Sequence, residues 1–488
     1  MYKFPKDFLF GYSWSGFQFE MGLEGSEVPN SDWWVWVHDR ENIATGLVSG
    51  DFPENGPAYW HLYAQDHDIA ESLGMDAIRG GIEWARIFPK PTFNVKVDVE
   101  RDEEGNIVSI DVPERAIQEL EKIANMEALK HYRKIYSDWK ERGKTFILNL
   151  YHWPLPLWIH DPIKVRKLGP DRAPSGWLDE RTVIEFVKFA AFVTYHLDDL
   201  VDMWSTMNEP NVVYENGYSR PTSGFPPGYL SFEAVERAKW NMIQAHARAY
   251  DAIKTFSKKP VGIIYAYTWL EPLSEDIEEE VKKIRENNLY SFVDAVYLGK
   301  DYEGSIRKDL KGKVDWLGVN YYSRFAFGKV GEHVRPLPGY GFMGERGGFA
   351  KSGRPCSDFG WEIYPEGLEK LLKELGERYK LPILITENGI ADVGDRYRSY
   401  YLVSHLVAVY NAMKEGVDVR GYLHWSLTDN YEWAQGFKMR FGLVHVDFKT
   451  KKRYLRPSAL VFREIATQKT IPQELTHLTN LEFITRNY

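Results

Sequence analysis

The stretch Trp204-Ser205-Thr206-Met207-Asn208-Glu209-Pro210 decides how this chain is read. It follows an apolar helical run and has the composition of a short strand with a polar tip. Asn208 and Glu209 fall where the strand stops, and Pro210, lacking a backbone N–H, prevents the ladder from continuing. A second stretch repeats the plan: Ile383-Leu384-Ile385-Thr386-Glu387-Asn388-Gly389. Apolar strand residues again run into Glu-Asn, and Gly389 supplies the turn. One such glutamate could equally cap the following helix; a matched pair argues for a site. If both strands belong to one parallel barrel, both carboxyl groups emerge at the face formed by the strands' carboxyl ends, where such folds hold their chemistry. Two facing carboxyl groups are the minimum equipment for cleaving a glycosidic bond.

Outward from these tips the chain alternates strand and helix patterns. Strands are predicted at residues 8–15, 77–84, 146–151, 203–207, 261–269, 315–322, 383–386 and 421–427. Helices are predicted at 57–73, 126–142, 178–200, 232–256, 365–379, 396–414 and 457–467, with a charge-rich, solvated helix face at 275–286. Residues 89–113 break the alternation: two short apolar runs flank Glu104-Gly105-Asn106, the pattern of an inserted hairpin. Residues 336–360, rich in Gly and Pro, read as a long loop. Residues 471–488 read as a tail packed on the barrel or on a neighbouring subunit. No repeat or linker divides the chain. The expectation is an α/β protein, a (β/α)8 TIM barrel forming a single domain over residues 1–488 with long inserted loops.

Composition narrows the function. A net charge of −9 speaks against nucleic acid or an anionic membrane as partner. The single Cys356 cannot form an internal disulfide or a cysteine-rich metal site, and it fits a cytoplasmic protein. No signal-peptide core and no apolar run long enough to span a bilayer are seen. Charged residues, at 27%, are ordinary in number, so composition does not indicate a working temperature. Aromatics are the unusual quantity: 15%, with 17 Trp and 30 Tyr, many beside Asn, Gln, His or Glu near predicted strand tips. Sugar rings present apolar C–H faces rimmed by hydroxyls, and aromatic platforms with hydrogen-bonding neighbours suit them.

Three motifs resemble those of family 1 glycoside hydrolases, and most closely the archaeal, hyperthermophile-type β-glucosidase/β-galactosidase branch. Phe8-Leu9-Phe10-Gly11-Tyr12-Ser13-Trp14-Ser15-Gly16-Phe17-Gln18-Phe19-Glu20 matches the amino-terminal signature. Thr206-Met207-Asn208-Glu209-Pro210 matches the acid/base motif and Ile385-Thr386-Glu387-Asn388-Gly389 the nucleophile motif. The resemblance covers nearly the whole chain and implies the same (β/α)8 barrel. One departure is visible: Gly80-Gly81 follow Arg79 where many bacterial and plant relatives carry Phe-Ser, which predicts wider room beneath the site.

The resemblance implies a retaining exo-acting β-glycosidase on non-reducing terminal β-D-glucosides and β-D-galactosides. Glu387 would be the nucleophile and Glu209 the general acid and then base, roughly 5 Å apart. Arg79 would hold the Glu387 pKa down and Tyr322 would donate a hydrogen bond to it. Gln18, His152, Asn208, Glu432 and Trp433 would bind the sugar hydroxyls, with Trp425 as the floor beneath the ring and a cis peptide at Trp425-Ser426. Trp153, Asn320, Trp361 and Phe441 complete the implied substrate-binding set, Trp361 lying where relatives stack the leaving group. No metal or organic cofactor is implied, because both reacting groups are side chains. The branch also implies thermostability and a homotetramer. A transglycosylase or β-mannosidase on the same residues, or a catalytically silent sugar-binding barrel, are the competing readings.

Overall fold

The computed structural model describes residues 2–301 and 304–487; residues 1 and 488, the outer bounds of the expected domain and tail, lie outside the described residues. Eight of the nine described strands of the central sheet form the barrel: β1 Leu9–Ser13, β2 Ala77–Gly81, β3 Thr145–Asn149, β4 Met203–Asn208, β5 Val261–Pro272, β6 Trp316–Val330, β7 Ile383–Glu387 and β8 Val419–His424; the ninth, His333–Pro336, pairs antiparallel with the far end of β6. Each barrel strand pairs in parallel with the next, and β8 pairs in parallel with β1, so the sheet closes into a barrel. All eight predicted strands are present. β5 and β6 run past their expected ends, to Pro272 and Val330, as a long pair beyond the barrel rim.

Around the barrel run α1 Tyr59–Ser72, α2 Met126–Lys140, α3 Arg181–Leu197, α4 Phe232–Phe256, α5 Ser291–Leu298, α6 Pro365–Tyr379, α7 Arg398–Lys414 and α8 Pro457–Gln468. Their starts follow capping chemistry. The Asn125 side chain accepts from Ala128 N at α2 and the Ser231 hydroxyl from Ala234 N at α4, each worth about 1 kcal/mol. Residues 275–286 hold the short helix Glu278–Ile284, whose Glu278, Glu279 and Glu280 are exposed while Val281 is buried. The covering helix of that segment is instead α5, short and apolar, which the sequence pattern does not separate from a strand. The inserted hairpin pairs Asp98–Arg101 with Ile107–Asp111, with Gly105 at φ 88° in the turn. Near the end of the chain, Thr470–Ile471 pairs with Tyr2–Lys3, and Ile484 is buried among Ile363, Ile390, Tyr397, Tyr400 and Tyr401.

Alternation along each strand divides the core in two. Outward residues such as Phe146, Leu148, Ile383 and Ile385 join the large cluster between strands and helices. Inward residues Leu9, Ala77, Ile147, Met203, Ile264, Trp316, Leu384 and Leu423, one from each strand, fill the barrel. The barrel interior is therefore a packed core, and it supports the polar tips above it. The expected wide room at Gly80 is absent. A Cβ there would lie 2.8 Å from the Trp14 indole and 3.0 Å from Phe146, so those rings occupy the space.

Candidate active site

Both glutamate tips depend on a break in strand alternation. In β4 the pairing with β5 shifts between Ser205 and Asn208. Trp204, Thr206 and Met207 pack outward, and Asn208 turns into the barrel mouth. Glu209 follows in the left-handed region at φ 50°, and Pro210 opens the helix Pro210–Tyr218 at once. In β7 the pairing with β6 shifts between Ile385 and Glu387. Leu384 and Thr386 point inward by alternation, and the shift brings Glu387 inward as well. Such irregularities commonly re-aim a side chain at a site.

Eleven of the fourteen site residues named from sequence are buried; Tyr322, Trp361 and Glu432 are partly exposed. Arg79, at the middle of β2, makes a short ion pair with Glu387 Oε1. The Tyr322 hydroxyl donates to Glu387 Oε2 at 2.7 Å. Glu209 Oε1 accepts from Asn320 Nδ2 at 2.8 Å, and the same amide reaches Asn208 Oδ1 at 3.0 Å. Thr386 Oγ1 donates to Asn320 Oδ1 at 2.7 Å, which fixes that amide's orientation. Arg79 Nη1 also lies 3.3 Å from Asn208 Oδ1 and 3.1 Å from His152 Nδ1. His152 Nε2 lies 3.2 Å from the Asn208 amide nitrogen, so each ring nitrogen faces a donor. Burial, reinforced by the Arg79 charge, holds the His152 pKa well below its ordinary value, so the imidazole is neutral.

Charge separates the two carboxyl groups. Glu209 is pushed up to about 8, first by burial and then by the Glu387 charge. Glu387 is also raised by burial, while Arg79 and Tyr322 pull it down. The expectation that Arg79 sets a net lowering is corrected: desolvation outweighs the ion pair. The guanidinium in contact nevertheless makes Glu387 the first of the pair to ionise, and its charge then keeps Glu209 protonated. Glu432 is likewise pushed up to about 8, by burial and by Glu387. Its Oε2 has no partner among the described residues, which leaves it free for a ligand hydroxyl.

The remaining residues wall the pocket. The Trp425 indole lies 5.9 Å from the His152 ring at 18° and 6.0 Å from the Arg79 guanidinium carbon, and the Trp425-Ser426 peptide is cis. Trp153 donates from Nε1 to Asn208 O at 3.2 Å and packs with Trp33 and Trp433. Trp433 stacks on Phe17 at 5.6 Å and 2°. Gln18 Nε2 donates to Tyr431 O at 3.0 Å and faces Asn430 Oδ1 at 3.3 Å. Trp361 bridges Tyr322 and Phe441, at 5.5 and 6.2 Å, and stacks on Phe359 at 4.3 Å. Sequence reasoning missed Thr386, Asn430, Trp33 and Phe359. Thr386 carried a signal, because it precedes the glutamate in a tip motif.

The profile of glycosyl hydrolase family 1 matches residues 1–98 and 118–471. A β-galactosidase of Sulfolobus acidocaldarius is 54% identical over 484 residues, covering 99% of this chain and 98% of that protein. β-Glucosidase A of Thermotoga maritima is 29% identical, covering 95% and 97%. The crystal structure of the hyperthermophilic β-glucosidase of Pyrococcus furiosus superposes with a TM-score of 0.95 at 76% identity, covering 99% of both chains. The chain belongs to glycosyl hydrolase family 1 and is a glycoside hydrolase with the (β/α)8 barrel of that family.

Proposed function

We propose that this chain is a retaining exo-β-glycosidase that hydrolyses β-glucosides and β-galactosides by double displacement. One observation carries the assignment of roles: of two buried carboxyl groups at strand tips, Glu387 is in ion-pair contact with Arg79, whereas Glu209 hydrogen-bonds to the neutral Asn320 amide and is pushed up to about 8. Glu387 attacks the anomeric carbon as the bond to the leaving oxygen breaks, and Glu209 delivers its proton to that oxygen. The glycosyl ester has no charge on Glu387, so the Glu209 pKa falls. Glu209 then takes a proton from water as it attacks the anomeric carbon, and Glu387 departs as a carboxylate. The product keeps the β configuration.

Gln18, His152, Asn208 and Glu432 hold the sugar hydroxyls, Trp425 lies beneath the ring, and Trp153 and Trp433 close one side. Asn320 orients the acid, and Trp361 with Phe441 lines the leaving-group side. Relatives named β-galactosidase and β-glucosidase support both substrate classes. We further infer a thermostable homotetramer acting in the cytoplasm. Support comes from a solved relative described as a mutant derived from a hyperthermophilic tetrameric structure and from the lone buried Cys356. No helix among the described residues is long and apolar enough to cross a membrane. The test is proton NMR of the first product from a nitrophenyl β-galactoside: the β anomer is expected, and initial release of the α anomer overturns the retaining mechanism.

A further inference from the structure

Behind Glu387 lies a second layer of hydrogen bonds built on Asn388, which is fully buried. Its Nδ2 donates to Tyr321 O at 2.8 Å and to the Tyr401 hydroxyl at 3.1 Å. Its Oδ1 accepts from the Tyr422 hydroxyl at 2.8 Å, and its backbone carbonyl accepts from Trp425 N at 3.0 Å. A carbonyl only accepts, so the contact with Tyr321 O fixes which amide atom is nitrogen. The Tyr401 hydroxyl, on α7, passes its own hydrogen to Tyr322 O at 3.0 Å. One side-chain amide thus ties the tip of β7 to β6, to α7 and to β8, and the carbonyls it grips belong to Tyr321 and, through Tyr401, to Tyr322.

We propose that Asn388 and Tyr401 are positioning residues that set the reactivity of Glu387 by fixing the Tyr321-Tyr322 backbone, so that the Tyr322 hydroxyl stays on Oε2. The proposal rests on the reading of Glu387 as nucleophile. Hydrogen bonds weaken steeply with distance and angle, so slack in the Tyr322 backbone loosens a neutral donor on the nucleophile. Glu387 faces Arg79 from β2, Asn320 and Tyr322 from β6, Glu209 from the β4 tip and Glu432 from the loop after β8. Of these, Tyr322 is the one whose own backbone carbonyl this layer grips. His405 and His424, which flank it, are pushed down to about 3 by burial and stay neutral at working pH.

The test is Tyr401→Phe in the full chain, which removes one oxygen and keeps the ring that stacks on His405 at 3.8 Å. The glycosylation rate is expected to fall about ten- to a hundredfold, and the acid limb of kcat/KM to move to higher pH, because a weaker hydrogen bond to the carboxylate favours its protonation. Inhibition by free galactose is expected to stay within about twofold, since hydroxyl contacts are untouched. Asn388→Asp, which sets an acceptor against Tyr321 O, is expected to act in the same direction and more strongly. Adding Tyr401→Phe to Tyr322→Phe is expected to cost no further rate, because both act through one bond. Unchanged rate and acid limb in Tyr401→Phe overturn the proposal, as do losses that multiply in the double variant. Mass spectrometry of the parent enzyme after a 2-fluoroglycoside separates the two readings. A label away from Glu387 sinks the nucleophile assignment itself, whereas a label on Glu387 with an unaffected Tyr401→Phe sinks only the positioning role.

Discussion

The β4 and β7 tips are built alike and end up with opposite charge states. Each is an apolar strand, a shift in pairing, and a glutamate turned into the same pocket. At β7 the carboxylate meets a guanidinium and a phenol; at β4 it meets one amide and, across the pocket, other carboxyl groups. Burial acts on both in the same sense and so cannot distinguish them. The difference lies in one cation, Arg79, placed by β2 on the Glu387 side. A pair of identical side chains thus becomes a nucleophile and an acid through neighbours contributed by other strands.

The comparison breaks most sharply at Glu387. Glu387→Ala is expected to lose about five powers of ten in rate with the circular dichroism spectrum unchanged, and a 2-fluoroglycoside should label that side chain in the parent enzyme. Next comes Glu209→Ala. Glycosylation should slow by about three powers of ten for sugars as leaving groups and far less for dinitrophenolate, which departs without a proton. An equal loss for both leaving groups in pre-steady-state bursts would place the acid elsewhere.

A third expectation concerns what the pocket refuses. Some family members that cleave 6-phosphorylated glycosides carry Ser, Lys and Tyr where this chain has Glu432, Met439 and Phe441. Of the two cations nearby in sequence, Lys438 is exposed, which leaves the half-buried Arg440. It lies in an irregular segment, not in a strand, and its guanidinium is held by Asp429 at 3.1 Å and Val446 O at 3.0 Å, over the Phe448 ring. It is therefore committed elsewhere, and a phosphate beside Glu432 meets a partly desolvated carboxylate with no compensating charge. The kcat/KM for a nitrophenyl β-galactoside 6-phosphate should be about a thousandfold below that of the free galactoside. Comparable values would show the pocket to be misread.

The sequence carried the fold because each barrel strand is a short apolar run punctuated by Gly, Pro or a polar tip, and the helices have their own period. The glutamates were legible as tips. Their inward aim was not: strict alternation from Leu384 sends Glu387 outward, and only the pairing shift reverses it. Asn388 read only as part of a polar tip, since its partners come from β6, α7, β8 and the segment after β8. Arg79 was recognised as the partner of Glu387, but the sign of the net pKa shift depends on burial, which no motif encodes. The helix α5 escaped because eight residues, mostly apolar, show too little period.

The smallest expected effect tests the electrostatics of the comparison directly. The reactive form needs Glu387 ionised and Glu209 protonated. As pH falls through the Glu387 pKa the nucleophile is lost, and burial sets that limb above the ordinary carboxyl value. As pH rises through about 8 the acid is lost. The basic limb should therefore belong to Glu209, and it should disappear for substrates whose leaving groups need no proton. Glu432 contributes to it as the weakest of the named anionic neighbours of Glu209. Glu432 is itself held protonated to about 8, so its charge develops only where Glu209 is already titrating. Glu432→Gln removes that late repulsion, which lowers the Glu209 pKa and moves the basic limb of kcat/KM to lower pH, by less than about one unit. Arg79→Lys should act in the opposite direction on the acid limb, raising it, because an ammonium loses the guanidinium's several directed bonds to Glu387, Asn208 and His152. A basic limb that stays fixed in Glu432→Gln, or one that survives unchanged with a dinitrophenyl glycoside, would mean that Glu209 is not the group titrating there.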